Sequence, residues 1–202
     1  MRKRIVFAAL VAWLCTACAS PSRHVGGYYD RVNDLYTNET AGFSLAIPER
    51  WAIYTDSADF ALPLQLQPDQ EQVLEAYDPV SQLGLVVVVQ EGPLLDIATL
   101  VQKMRAMPDE RVADQLTAAH VTDVQQLSVR TTLVNGYEAV EWIYTATDMT
   151  GGQPIKVTVN FFILKVDERY VYITFSVPSH RYATAQPTMA SILKTFTLTS
   201  AA

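Results

Sequence analysis

The chain has 202 residues, 50% of them hydrophobic and 18% charged, with 21 acidic against 15 basic residues and a formal net charge of −6. A surface of that sign repels phosphate backbones, so nucleic acid is not an expected partner. The two cysteines, Cys15 and Cys18, both stand near the N-terminus, which leaves the rest of the chain without disulfides and dependent on its core alone.

The first element is a leader. Arg2, Lys3 and Arg4 precede an apolar run over 5–17, the pattern of a secretory signal peptide. Thirteen apolar residues are too few for the roughly 20 that cross a bilayer core. The run ends Leu14-Cys15-Thr16-Ala17-Cys18, which resembles the bacterial lipobox, where small residues precede a cysteine that is lipidated and becomes the new N-terminus. Cys15 is preceded by bulky Trp13 and Leu14, so Cys18 is the expected lipid-attachment residue. Ala19 follows it, and an aspartate there would resemble an inner-membrane retention signal, so the outer membrane, facing the periplasm, is the expected location. Cleavage before Cys18 removes three basic residues and no acidic one, leaving 12 basic against 21 acidic and a net charge of −9.

The expected organisation is therefore a signal peptide over 1–17, a lipidated tether over 18–34, and one domain over 35–202. The tether is polar, with Pro21, Gly26 and Gly27 and no apolar period. Strands are predicted over 35–38 and 43–47, where Phe43, Leu45 and Ile47 alternate with Ser44 and Ala46. Pro48 ends that ladder. Residues 55–70 read as a loop, followed by strands over 73–77 and 83–90. The run Leu85-Val86-Val87-Val88-Val89 is apolar on both faces, as a central strand covered from both sides must be.

Asp96 is placed to cap a helix whose stripe is Ile97, Leu100, Val101 and Met104, and Pro108 stops it. A second short helix is predicted over 111–119. Strands over 126–133 and 137–146 flank Asn135-Gly136, a tight-hairpin signal because both residues tolerate positive φ. Strands over 155–166 and 170–177 follow, joined by Asp167-Glu168-Arg169, and tight turns make the set an antiparallel meander. A helix over 181–194 closes the domain through Tyr182, Ala185, Met189, Ile192, Leu193 and Phe196. Pro187 inside that span argues for a later start.

Three stretches resemble PsbP-like domains of the PsbP/Mog fold. They are Gly42-Phe43-Ser44-Leu45 with Ile47-Pro48 and Trp51, the Asn135-Gly136 hairpin with its long strand, and Tyr170-Val171-Tyr172-Ile173-Thr174-Phe175 followed by Ile192-Leu193-Lys194-Thr195-Phe196. The resemblance spans roughly residues 35 to 199. It implies an α+β domain, a three-layer α/β/α sandwich around a mainly antiparallel sheet. It also implies accessory or binding roles and carries over no catalytic motif, and fold similarity alone does not transfer function.

No chemistry-bearing constellation emerges from spacing. His24, His120 and His180 are far apart and lack metal-ligand spacing, so no metal and no cofactor are expected. There is no G-x-S-x-G and no cysteine in the domain. Acidic pairs such as Asp109-Glu110 and Asp167-Glu168 read as solvated turn charges, because calcium needs six to eight oxygens. Trp51, Trp142 and Tyr144 are candidates to line a sugar or peptide cleft, although strand alternation favours the core for Trp142. The expected function is a non-enzymatic envelope module, held on the membrane through Cys18, that binds or helps assemble an envelope protein. Its rivals are a hydrolase built from dispersed carboxylates, which requires two buried carboxylates facing one pocket, and a small-ligand carrier.

Overall fold

In the computed structural model, residues 27–56, 58–60, 66, 68–92, 94–116, 121–149 and 153–199 are described. Cys18, His24 and His120 lie outside them. Among the described residues there are eleven strands: β1 Tyr28–Asp30, β2 Leu35–Asn38, β3 Phe43–Ala46, β4 Ala52–Tyr54, β5 Gln70–Asp78, β6 Leu83–Glu91, β7 Val121–Val134, β8 Tyr137–Asp148, β9 Ile155–Val166, β10 Arg169–Pro178 and β11 Thr197–Leu198. The helices are α1 Ile97–Arg105, α2 Asp109–Leu116 and α3 Tyr182–Leu193.

The large sheet runs β4-β5-β6-β10-β9-β8-β7, antiparallel throughout. Strands β7 to β10 form the meander expected from their turns. Asn135 at φ 47° and Gly136 at φ 89° supply the left-handed pair that a two-residue hairpin demands. Strand β6 pairs with β10 and β5 and is buried from Leu83 to Gln90, which is why its sequence carries no polar alternation.

Each face of this sheet has its own core. One face packs Val86, Val88, Val140, Trp142, Phe161 and Tyr172 against Ile97, Leu100, Val101 and Met104 of α1 and Val112 of α2. Helix α1 starts where the Asp96 carboxylate accepts from the Thr99 N–H at 2.8 Å, satisfying one of the donors a helix N-terminus leaves open.

The opposite face packs Leu85, Val87, Phe162, Ile173 and Phe175 against a second sheet and α3. That second sheet has the order β1-β2-β3-β11, and it brings Tyr36, Phe43 and Leu45 into the same core as Met189, Ile192 and Phe196. The protein is thus a mainly antiparallel two-sheet structure. The expectation of an α/β/α sandwich names helices as both covers, whereas the second cover here joins a four-stranded sheet to one helix. The short strands β1, β4 and β11 carry too few residues for a period to show.

Several segments differ from their sequence reading, among them β4 and β11, which no sequence period announced, and β7, which begins at Val121 and not at 126. Strand β1 pairs with β2 at Tyr28–Thr37, Tyr29–Tyr36 and Asp30–Leu35, inside the span 18–34 read as tether, because two-strand pairing and the Tyr29 to Asp34 hydrogen bond of 2.8 Å order a polar segment. Helix α2 begins at Asp109, since the Pro108 carbonyl accepts from the N–H groups of Arg111 and Val112. Helix α3 begins at Tyr182 after a single 3-10 turn over Ser179–Arg181 and holds Pro187 within it.

Candidate functional site

The sheet face beneath α3 is apolar at its centre and turns polar toward the β7 edge. Strand register explains why. Arg130 on β7 pairs with Glu141 on β8, which pairs with Phe162 on β9, and Asn160 pairs with Ile143 one step along. Glu141 and Asn160 therefore project on one face as diagonal neighbours. Both are buried, at 7% and 5% exposure.

A buried carboxylate is costly unless hydrogen-bonded. Arg130 Nε donates to one Glu141 oxygen, and Asn160 Nδ2 donates to the other at 3.3 Å. The Arg130 side chain remains 63% exposed while the Glu141 side chain is 9% exposed, so the guanidinium closes the carboxylate off from the solvent side. Asn160 Nδ2 also lies 3.4 Å from Tyr182 Oη, which accepts from it. Burial pushes the Tyr182 phenol upward, and the Glu141 charge adds to this against hydrogen bonds from Gln186 and Asn160. Asn160 Oδ1 is buried with no hydrogen-bond partner among the described residues.

Above this floor lies a cleft of about 300 Å³ between α3 and the β7–β9 side of the sheet. Phe162, Met189 and Leu193 form apolar walls, Thr132 and Gln186 add polar groups, and Lys194 stands at the rim. On α3 the lining positions 186, 189, 190, 193 and 194 recur at helical spacing, one face of the helix looking across the cleft. Chemically the cleft combines apolar walls with a buried acceptor that has no partner among the described residues and a carboxylate already engaged at both oxygens.

The sequence candidates are scattered. Trp51 belongs to the core beneath α3, whereas Trp142 and Tyr144 pack in the core beneath α1. The expected shared aromatic cleft is therefore absent, because the sheet separates its members. Trp142 Nε1 and Tyr144 Oη lack partners among the described residues, but both residues are sealed in, at 2% and 0% exposure. Asp56, Asp59, Glu110, Glu138, Asp167 and Glu168 are exposed, and Asp109 accepts from the Gln126 N–H at 3.0 Å. His180 is exposed, and no group of three or more metal-ligating side chains occurs among the described residues. Asn160 was invisible to sequence reasoning, since an asparagine in an apolar strand shows nothing of its partners.

Among the described residues the buried carboxylates are Glu75, Glu141 and Asp148. Strand alternation puts Glu141 on the α3 face and the other two on the α1 face. Glu75 and Asp148 are separated by four inter-strand steps, from β5 across β6, β10 and β9 to β8, roughly 19 Å at about 4.8 Å each. Glycosidase pairs need about 5–9.5 Å. No pair among these three buried carboxylates meets that requirement.

A larger open groove of about 680 Å³ borders the β9–β10 turn, lined by Glu91, Leu94, Lys165, Asp167 and Arg169. Its arginine is committed elsewhere: Arg169 Nη2 pairs with Glu91 at 3.1 Å, and Nη1 donates to the Thr40 carbonyl at 2.6 Å. That pair of contacts ties the small sheet to the large one.

No protein-family model matches the chain, and no curated protein matches it. Solved structures do. The cyanobacterial PsbP protein CyanoP from Synechocystis sp. PCC 6803 superposes with a TM-score of 0.54 at 10% identity, covering 91% of this chain and 98% of that one. The Saccharomyces cerevisiae Ran-binding protein Mog1p gives 0.46 at 11% identity, over 78% of this chain and 90% of that one. LpqN of Mycobacterium tuberculosis, involved in cell envelope biogenesis, gives 0.45 at 13% identity, over 78% and 83%. The match that spans nearly both chains, to CyanoP, concerns the fold at this identity, and the fold of this chain is PsbP-like.

Proposed function

We propose that this chain is a non-enzymatic cell-envelope lipoprotein that binds or helps assemble another envelope component through the cleft between α3 and β7–β9. The observation that carries the reading is the floor of that cleft. A general acid or base needs a carboxylate free to exchange a proton with substrate, but Arg130 and Asn160 occupy both oxygens of Glu141. Asn160 also lines the cleft, with its Oδ1 buried and without a partner among the described residues, so the floor holds a recognition group and no free acid or base.

The leader supports the compartment. Cleavage before Cys18 and lipid on that residue would hold the domain on a membrane, with the outer membrane facing the periplasm favoured by Ala19. Multiple acyl chains make such anchoring stable, at about 0.8 kcal/mol per buried methylene. Among the described residues no helix is long and apolar enough to cross a membrane, so the lipid is the attachment proposed.

The test combines labelled fatty acid with a cellular phenotype. Cys18→Ala abolishes labelling and weakens function, because anchoring raises the effective concentration near a membrane partner. Cys15→Ala leaves both intact. Amide replacement of Asp56, Asp59, Asp109, Glu110, Glu138, Glu141, Asp167 or Glu168 leaves the phenotype largely intact. Equal labelling of wild type and Cys18→Ala, or loss of function from one such amide change at normal abundance, would overturn the reading.

A further inference from the structure

Strand β7 is the outer edge of the large sheet, and an exposed edge presents a row of unpaired backbone groups. Its first half is protected. Register shifts interrupt its pairing between Thr122 and Gln125 and between Gln126 and Ser128. Helix side chains also occupy its outward groups: Asp109 accepts from the Gln126 N–H at 3.0 Å, and Arg105 Nε donates to the Val129 carbonyl at 2.9 Å.

Beyond the Val129 carbonyl that Arg105 holds, the second half has neither device. From Val129 to Val134 the strand pairs without interruption with Tyr137 to Trp142. The two-residue turn makes Val134–Tyr137 a hydrogen-bonded pair, so Thr132 and Arg130 also bond inward to β8, while Val129, Thr131 and Leu133 direct their backbone groups outward. The carbonyl of Val129, met from outside by Arg105, confirms this phase. Thr131 and Leu133 have no partner for these outward groups among the described residues. Leu133 is 68% exposed, an apolar side chain beside a free edge, and both Thr132 and Leu133 line the cleft beneath α3.

We infer that the Val129–Val134 edge of β7 receives an extended peptide segment of a partner protein as an eighth strand. The inference rests on the binding role proposed above and names the form its partner takes. The uninterrupted stretch of six residues, with outward backbone groups open at Thr131 and Leu133, matches the usual length of a strand, and main-chain pairing along such an edge is the known physics of strand addition. A second copy of this chain is disfavoured as occupant, because two mature domains would each bring a net charge of −9.

The probe is a displayed library of random peptides of about twelve residues, selected on the full mature chain, with backbone amide exchange read on the selected complex. Exchange at Thr131 and Leu133 slows by about tenfold or more, while Arg130 and Thr132, already bonded to β8, change little. Leu133→Glu and Thr131→Pro each lose the binding, the first by charge at an exposed site that leaves folding intact, the second by removing an outward N–H. Leu127→Glu, on the protected half, keeps it. The inference is overturned if no peptide is selected, if selected peptides protect other amides, or if Thr131 and Leu133 become protected by raising the protein concentration alone. Should Ala190→Trp abolish partner capture in the envelope while no peptide protects the edge, the cleft reading survives and strand addition falls.

Discussion

Asn135 reaches from the β7–β8 turn to the end of α3, its Nδ2 donating to the Phe196 carbonyl at 2.8 Å. The same residue holds φ 47° in the turn, so one side chain sets both the hairpin and the seat of the chain after the helix. Phe196 is fully buried there, stacked on Phe43 with ring centroids 5.7 Å apart and edge-on to Tyr137 at 5.7 Å.

Two substitutions separate these roles. Asn135→Gly keeps the positive φ and loses the hydrogen bond, a destabilisation of about 0.5–1.5 kcal/mol. Asn135→Ala loses the bond and adds left-handed strain, roughly 1 kcal/mol more. Chemical denaturation of both variants checks the order, and equal midpoints would show that the turn conformation is not what Asn135 contributes.

The Arg130–Glu141 pair predicts an asymmetry. Arg130→Ala strands a buried carboxylate and costs about 1–3 kcal/mol. Glu141→Gln retains the shape and an acceptor for Asn160 and leaves behind an arginine that is 63% exposed, so it costs less. Urea unfolding of the two single variants and the double variant measures this; a larger loss from Glu141→Gln would mean the carboxylate is held for another purpose.

Leu100 and Ile192 belong to the two different cores, at 0% and 2% exposure. Leu100→Asp and Ile192→Asp each place a charge in a packed layer and destabilise strongly, by about 4 kcal/mol or more. Lys103→Asp, at an exposed position of α1, stays within about 1 kcal/mol. Thermal melts decide, and a wild-type melting temperature for either apolar variant would remove its helix from the core.

Much of the fold was legible because it rests on local signals. The apolar stripe of α1 and its Asp96 cap, the Asn135-Gly136 turn, and the unbroken apolar run of β6 each announce their structure through neighbouring residues. The second sheet was harder to read. Its strand β11 is two residues long and pairs Thr197 with Ser44 and Leu198 with Phe43, a contact about 150 residues apart that no local pattern encodes. The cleft was illegible for the same reason. Glu141 is one acidic residue within a long strand, and only strand register shows that it is buried on the α3 face, sealed by Arg130 and joined to Asn160. The separation of Trp51 from Trp142 likewise depends on which sheet face each strand presents.

The measurement that bears most directly on the account is site-specific photocrosslinking from position 194 at the cleft rim, in intact cells. Ala190 lines the cleft from an exposed position on α3, so Ala190→Trp fills the cleft without disturbing the core. The account predicts a dominant adduct to one envelope protein that disappears with Ala190→Trp and falls sharply with Cys18→Ala, while the Ala190→Trp protein melts like wild type. An adduct that persists undiminished when the cleft is filled would contradict it.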